Sequence, residues 1–91
     1  MKFFRFAEQL RGSGISISNN IAEGSGSFSN KDFRNFLNMA RRSVFESANI
    51  LIVFFRRGII DEEMKTALLD NLERLSRRIT AFRNKIGKTN P

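Results

Sequence analysis

The feature that most constrains the fold is an apolar repeat in the last third of the chain, with steps of four, three, four, three and four residues. The repeat consists of Leu68, Leu72, Leu75, Ile79, Phe82 and Ile86. This spacing puts all six side chains on one face of an α-helix and is typical of a seam in a helical bundle. Three carboxylates, Asp61 to Glu63, precede the repeat, where negative charge suits the start of a helix. We therefore predict a helix over residues 61–86.

The middle of the chain predicts a second helix, over residues 30–57. Ser29 followed by Asp32 is typical of a capping box, in which a hydroxyl accepts a backbone hydrogen bond at the start of a helix. An apolar stripe continues to Phe55, and Gly58 stands just past the last turn, where glycine commonly ends a helix. The second half of this stripe also fits a buried strand, but its continuity favours a helix.

The first part of the chain predicts a helix over residues 3–22, because its apolar and small residues return at helical spacing. Gly12 and Gly14 weaken this helix and allow a break in it. A loop rich in glycine and serine follows over residues 24–29. Residues 1–91 are thus predicted to form one all-α domain, an antiparallel up-down bundle with about three helices.

Composition excludes several function classes. The 91 residues include no cysteine and no histidine, so there are no disulfides, no thiolate metal sites and no histidine general base. We predict a protein that is not an enzyme and that uses no cofactor and no metal ion. The longest apolar run, Ile50 to Phe55, is far too short to cross a membrane, and we expect a cytoplasmic protein.

The middle helix carries a second apolar set that lies off its main stripe. This set consists of Met39, Phe45, Ile50, Ile52 and Val53. A helix that is apolar on nearly all sides is buried on several sides, and three helices cover only part of it. We therefore predict that these five residues contact another chain in a homo-oligomer.

Charge is unevenly distributed along the chain. The net charge is +7, made up of +5 in residues 1–60, −4 in residues 61–73 and +6 in residues 74–91. A pI near 11.1 is the electrostatic footprint expected of a nucleic-acid-binding protein. The candidate phosphate contacts are Arg41, Arg42, Arg56, Arg57, Arg74, Arg77, Arg78 and Arg83. Alternatively, the charges complement helix dipoles and solvate the surface. The phenylalanines fall mostly in helical stripes, so we interpret them as core residues.

Several motifs carry a resemblance to a known family. The N-terminal half contains Gln9-Leu10-Arg11, Ser16-Ile17 and Asn20-Ile21-Ala22-Glu23-Gly24-Ser25-Gly26. After a short loop follow Ser29-Asn30-Lys31-Asp32-Phe33, Phe36-Leu37, Ala40-Arg41, Ser43 and Glu46, and then the turn Arg57-Gly58-Ile59-Ile60-Asp61-Glu62-Glu63. Over about residues 7–80, the chain resembles the four-helix bundle proteins related to 23S ribosomal RNA intervening-sequence proteins.

The resemblance implies an up-down four-helix bundle, a homopentamer with a basic central channel, and no established enzymatic activity. The chain is also similar to the accessory variability determinant of diversity-generating retroelements, which binds nucleic acid and a reverse transcriptase. In the family, a first helix precedes the Gln-Leu-Arg segment, and only a few residues stand there in this chain. We expect another chain, or the segment around Phe3, Phe4 and Phe6, to cover the groove that this helix fills.

The motif of Asn20, Glu23 and Gly24 is interpreted as structural rather than as a ligand site. We expect Gly24 to end the first helix, and Asn20 and Glu23 to hydrogen-bond the start of the next helix or to pair with Arg41. The leading hypothesis is a basic, oligomeric helical bundle that binds RNA or DNA, as an accessory to a ribosomal RNA insert or a retroelement. The alternative is a scaffold that docks a protein partner such as a polymerase.

Overall fold

The computed structural model describes residues 2–88 of the chain. These residues form three α-helices and contain no β-strand: α1 spans Lys2–Ser25, α2 spans Asn30–Arg56 and α3 spans Glu62–Lys88. The prediction of an all-α fold with about three helices is confirmed. The expectation that Phe3, Phe4 and Phe6 cover a groove concerns side chains that lie outside the described ones.

Side-chain caps start both of the later helices. Ser29 is extended, and its Oγ accepts a hydrogen bond from the backbone N–H of Asp32 at 3.1 Å. Asp61 Oδ1 likewise accepts from the backbone N–H of Met64 at 2.8 Å. The first N–H groups of a helix have no partner within the helix, and each cap satisfies one of them. Both helix starts therefore follow from the local sequence.

The end of α2 is fixed by Gly58. Its φ of +75° lies in the left-handed region that glycine adopts without strain. The N–H of Gly58 donates to the carbonyl of Phe55 at 3.0 Å, and the N–H of Ile59 donates to the carbonyl of Phe54 at 2.9 Å. This pair of bonds is the Schellman motif, which turns the chain sharply toward α3.

α1 is continuous and runs past its predicted end at residue 22. Gly12 and Gly14 do not break it, although each costs about 1 kcal/mol relative to alanine in a helix. Packing along α2 outweighs that cost, since tertiary contacts supply most helix stability in proteins. Gly24 also lies inside α1 rather than at its end, so the connection to α2 is residues 26–29.

α1 and α2 run antiparallel and touch through small polar residues. Ser16 Oγ lies 2.8 Å from Ser43 Oγ, and Ser13 Oγ is hydrogen-bonded to Ser47 Oγ. Partner numbers fall along α2 as they rise along α1, which defines the antiparallel direction. Short side chains at these positions let the two helix backbones approach closely.

α2 and α3 also run antiparallel, and larger side chains separate them. Arg83 Nη1 donates to Asn38 Oδ1 at 3.0 Å near one end of the pair. Near the other end, Lys65 Nζ lies 4.1 Å from the centroid of the Phe55 ring. α1 and α3 therefore each lie beside α2 over most of their own length.

The three helices form a bent layer with α2 in the middle. Within the described residues, no Cα atom of α1 lies within 8 Å of a Cα atom of α3. The Cα atoms span 49 × 23 × 12 Å, so the molecule is twice as wide as it is thick. One face of this layer is concave, since residues of all three helices line one groove on it.

The core consists of two clusters along α2. The first contains Ile17, Leu37, Ala40, Val44, Ile79 and Ile86, and the second contains Ile50, Leu51 and Phe54. Leu10, Ile59 and Ile60 pack around the second cluster. Ile50 is only 8 % exposed there, so the prediction that it contacts another chain needs correction: its side chain packs within its own chain.

Candidate nucleic-acid interface

Antiparallel packing separates charge between the two ends of the molecule. The start of α2 lies beside the end of α3, next to the end of α1. Residues 14–43 and 74–88, which form this end, contain ten Lys/Arg and two Asp/Glu. The rest of the chain contains six Lys/Arg and seven Asp/Glu. We call the first of these the basic end, and a polyanion is attracted to it more strongly than to the other.

Three arginines of the basic end come together on α2 and α3. Arg41 and Arg42 line one cavity with Asn38, and Arg83 donates to the same Asn38; we call these three arginines the arginine cluster. A shallow cavity of about 250 Å³ is lined by Asn38, Arg41, Arg42 and Phe45. The Arg41 guanidinium carbon lies 5.9 Å from the centroid of the Phe45 ring, within the range of a cation–π contact.

Arg83 is held in place by two amide oxygens. Its Nη1 donates to Asn38 Oδ1 at 3.0 Å, and its Nη2 donates to Asn84 Oδ1 at 2.9 Å. These contacts orient the guanidinium without neutralising its charge. The remaining N–H groups of the guanidinium stay available, because arginine carries five donors.

No carboxylate among the described residues forms an ion pair with the arginine cluster. The ion pairs within the described part are Arg11–Glu8, Arg74–Asp70 and Arg77–Glu73. Arg41 Nε is buried and has no hydrogen-bond partner. The positive charge of the cluster is therefore not offset locally, which suits an anionic ligand with several oxygen atoms.

The other five predicted phosphate contacts lie outside this cluster. Arg74 and Arg77 pair with carboxylates at 2.7 and 2.8 Å on the exposed side of α3. Arg78 is exposed on the same helix. Arg56 and Arg57 lie at the opposite end of α2, with Arg56 about 21 Å from Arg42 along the helix axis. The eight arginines thus do not form one surface.

In the motif of Asn20, Glu23 and Gly24, the asparagine forms its hydrogen bonds within α1. Asn20 Nδ2 donates to the backbone carbonyl of Ser16 at 2.8 Å and to Ser16 Oγ at 3.1 Å, not to the start of α2. Ser29 caps α2 instead, because it precedes that helix directly. Glu23 is exposed and forms no ion pair with Arg41.

Gly24 has a packing role that spacing along α1 does not reveal. A Cβ atom at this position would lie 2.6 Å from Cδ1 of Phe33 and 2.9 Å from Cβ of Phe36. Both distances are shorter than real side chains tolerate, so only glycine fits here without movement of α2.

The second apolar set of α2 divides into three classes of exposure. Met39 and Phe45 are 45 % and 52 % exposed. Ile52 and Val53 are half-buried, and Ile50 is buried in the core. Phe45 also lines the cavity beside Arg41 and Arg42, and its contact with another chain stays a prediction, as do those of Met39, Ile52 and Val53.

Phe28 is a candidate functional residue that the sequence interpretation missed. It is fully exposed, in the connection over residues 26–29 at the basic end. The interpretation of the phenylalanines as core residues does not hold for it. The sequence does indicate that Phe28 is exposed, because it lies in a segment of glycine and serine, outside every helical stripe.

Within the described part, no group of three acidic side chains is placed to hold a metal ion. None of the three helices in that part is long and apolar enough to span a membrane.

Fold and surface together define a small helical-layer protein with one strongly basic end. The model of the family described as 23S rRNA-intervening sequence protein matches residues 2–81. The chain belongs to this family, which confirms the resemblance found in the sequence. No curated protein and no solved structure matches the chain.

Proposed function

We propose that this protein is a non-enzymatic, oligomeric nucleic-acid-binding protein whose arginine cluster contacts phosphates. The observation that supports the proposal is the grouping of Arg41, Arg42 and Arg83 at the basic end without a carboxylate partner in the described part. The family description points to RNA as the first ligand to test, with DNA as the second. A role as an accessory to a ribosomal RNA insert or a retroelement belongs to the same proposal.

The cluster suits phosphate binding for physical reasons. Guanidinium groups donate two parallel hydrogen bonds to phosphate oxygens, and Asn38 pre-orients one of the three. Each neutralised phosphate releases counterions, so affinity falls as salt concentration rises. Phe28 extends this surface with an exposed ring on which an unpaired base can stack.

The first test compares two triple variants of equal charge. One carries Arg41→Gln, Arg42→Gln and Arg83→Gln. The control carries Arg56→Gln, Arg74→Gln and Arg77→Gln, which lie at the other end of α2 or in ion pairs. Binding to a labelled single-stranded RNA and to a DNA duplex is measured by fluorescence anisotropy over a series of salt concentrations.

We expect the cluster variant to lose at least tenfold in affinity and the control to lose much less. The slope of log affinity against log salt is expected to fall by about 2–3 in the cluster variant, since three phosphate contacts are removed. Equal losses in both variants would show binding by diffuse charge and refute the assigned site. Absence of binding by the unmodified protein at low salt would refute the whole proposal.

Phe28 provides a second test that separates ligand types. Phe28→Ala removes a stacking surface worth about 1–3 kcal/mol per base on single strands. We expect weaker binding to single-stranded RNA and unchanged binding to a duplex, in which the bases are already stacked. A matched loss on both ligands would argue against stacking.

A scaffold for a protein partner is the second candidate function. The observation that favours it is the apolar groove on the concave face, lined by residues of all three helices. A partner such as a reverse transcriptase would then be retained after nuclease treatment of a pull-down. Loss of the partner with nuclease, or with the cluster variant, would favour nucleic acid as the ligand.

A further inference from the structure

A second cavity adjoins the arginine cluster, between α2 and α3, and we call it the side cavity. It encloses about 320 Å³. Its lining comes from both helices: α2 contributes Val44, Phe45 and Ala48, and α3 contributes two leucines and the polar residues Glu73, Ser76 and Arg77. Ligand pockets in proteins start at about this volume, and their walls are mostly apolar with a few polar groups. The side cavity therefore has the size and lining of a small ligand site.

Phe45 joins the side cavity to the arginine cluster. It lines the cavity of the cluster as well as the side cavity, and the Arg41 guanidinium carbon lies 5.9 Å from the centroid of its ring. Arg41 and Arg42 precede Phe45 by four and three residues, which is about one turn of α2. Only a sugar separates the base of a nucleotide from its phosphate. A nucleotide whose phosphate contacts the cluster can therefore place its base in the side cavity.

The ring of Phe45 offers a surface on which such a base can stack. It is 52 % exposed, although Val44 beside it is buried. Unpaired bases stack on exposed aromatic rings and on arginine side chains, and this contact requires a strand that is not base-paired. Phe45 would then contact a base rather than the second chain predicted from the sequence.

The polar groups of the side cavity lie together on α3. Glu73, Ser76 and Arg77 are spaced by three and four residues, which keeps them on one side of the helix. Arg77 Nη2 donates to Glu73 Oε2 at 2.8 Å. A carboxylate accepts several hydrogen bonds through its two oxygens, and arginine carries five donors. The ion pair therefore orients both groups and leaves each able to bond a ligand.

The order of these groups favours guanine among the bases. The edge of guanine presents the acceptor O6, the donor N1–H and the donor N2 amino group in that order. Arg77, Glu73 Oε2 and Glu73 Oε1 form the complementary series of one donor and two acceptors. Adenine and cytosine place an acceptor nitrogen beside their amino group, and uracil has one N–H between two carbonyl oxygens. None of these three offers two adjacent donors to the carboxylate.

We propose that the side cavity binds an unpaired guanine of a single-stranded nucleic acid whose phosphates contact the arginine cluster. The ring of Phe45 stacks on the base, and Glu73 and Arg77 hydrogen-bond its edge. The inference rests on the proposed function and deepens it. Contacts to phosphates position a nucleic acid but carry no sequence information, whereas contacts to a base edge do. The side cavity thus gives a preference that the arginine cluster alone does not give.

Two carboxylates of α3 provide a test with a matched control. Glu73→Gln and Asp70→Asn each remove a carboxylate that pairs with an arginine four residues later, at 2.8 Å and 2.7 Å respectively. Of the two, Glu73 lines the side cavity and Asp70 does not. Both ion pairs are exposed, so neither change is expected to unfold the chain. The probes are labelled oligouridine and the same oligomer with one central guanosine or one central adenosine, and fluorescence anisotropy gives each affinity.

We expect the unmodified protein to bind the guanosine oligomer at least about fivefold more tightly than the adenosine oligomer, the low end of what a bidentate base contact provides. Glu73→Gln should abolish this preference, because its amide turns a donor toward the donors of guanine. Asp70→Asn should keep it. Absence of the preference in the unmodified protein, or an equal loss in both variants, would overturn the inference.

The three oligomers separate failure of this inference from failure of the proposed function. Oligouridine contains no guanine, so its affinity reports the arginine cluster without the side cavity. Salt-dependent binding of all three oligomers with equal affinity would refute the guanine site and leave the arginine cluster standing. Absence of binding to every oligomer would refute both.

A filled cavity provides a second test that changes no charge. Ala48 is half-buried in the wall of the side cavity, and Ala48→Leu adds apolar volume there. The control, Ala67→Leu, adds the same atoms at an exposed position of α3 outside the side cavity. We expect Ala48→Leu alone to lose the guanosine preference while it keeps the affinity for oligouridine. A preference that survives in Ala48→Leu, or that both variants lose, would overturn the inference.

Discussion

The contact between α1 and α2 and the contact between α2 and α3 use different kinds of side chain. α1 meets α2 through buried serines and Gly24 as well as through Ile17, with hydroxyl groups of Ser13 and Ser16 bonded across the contact. α2 meets α3 through leucine, isoleucine and phenylalanine, including an edge-to-face pair of Phe33 and Phe82 at 5.4 Å. The first contact depends on close approach of backbones, and the second depends on apolar volume.

The difference shows that α2 can pack closely through small residues on one side and through large apolar residues on the other. The serines at the first contact are buried: Ser13, Ser43 and Ser47 are 4 %, 7 % and 3 % exposed. The hydroxyl groups of Ser13 and Ser47 are within hydrogen-bond distance of each other and of the carbonyls of Leu10 and Ser43, respectively. Ser43 Oγ is bonded to Ser16 Oγ, so burial leaves none of the three without a hydrogen bond. Stability at this contact should respond to small increases in volume, whereas stability at the other should respond to loss of volume.

The largest effect is expected at the apolar contact. Leu37→Ala removes a side chain that is 1 % exposed in the cluster with Ile79 and Ile86. The lost burial and the cavity left behind should lower the free energy of unfolding by about 2–5 kcal/mol. Urea denaturation followed by circular dichroism measures it. A loss below 1 kcal/mol would show that the contact collapses to fill the cavity.

The next largest effect is expected at Gly24, where α1 packs against two phenylalanines of α2. Gly24→Ala forces a Cβ against Phe33 and Phe36, and overpacking of this kind costs about 1–3 kcal/mol. Higher helix propensity offsets part of that cost. Gly12→Ala is the control, and there the propensity gain acts alone and should stabilise the protein. The same denaturation experiment tests whether the two changes have opposite signs.

A smaller effect is expected for the buried serine pair. Ser13→Ala and Ser47→Ala each remove one partner of a shared hydrogen bond and should cost about 0.5–1.5 kcal/mol. The double variant should cost less than the two single changes together, because no hydroxyl is left without its cross-helix partner. A double-mutant cycle measures this coupling, and strict additivity would show that the pair does not interact.

The smallest effect is expected for the cation–π contact at the far end of α2 and α3. Lys65→Gln removes the ammonium group above Phe55 and should lower stability by about 0.5 kcal/mol. The contact is partly exposed, so the loss should stay well below that of Leu37→Ala. Thermal unfolding of the two variants in parallel gives the ranking directly.

Much of the fold could be predicted, because its signals are local. The α3 repeat, the cap at Ser29 and the turn at Gly58 each act within a few residues of chain, and the structure shows all three. The continuity of α1 through Gly12 and Gly14 could not be predicted in the same way. It depends on packing against α2, and glycine propensity alone argues for a break.

The candidate site was harder to predict than the fold. Net charge and a list of arginines indicate a nucleic-acid ligand but not which arginines lie together. Arg42 and Arg83 are far apart in sequence, and only the antiparallel contact of α2 and α3 brings them to one cluster. Ile50 was predicted to contact another chain but is buried within its own chain. Helical spacing does not show that Ile59 and Ile60, in the connection after α2, pack against its cluster.

Within the described residues, no Cα atom of α1 lies within 8 Å of a Cα atom of α3, and this bears on how the chain folds. Each tertiary contact between helices closes across one short connection, over residues 26–29 or 57–61, so each contact joins helices that are neighbours in sequence. Chains with low contact order fold rapidly, because little loop entropy is lost before contacts form. Either helical hairpin can form first, and α2 belongs to both, so its formation is the common step of the two routes.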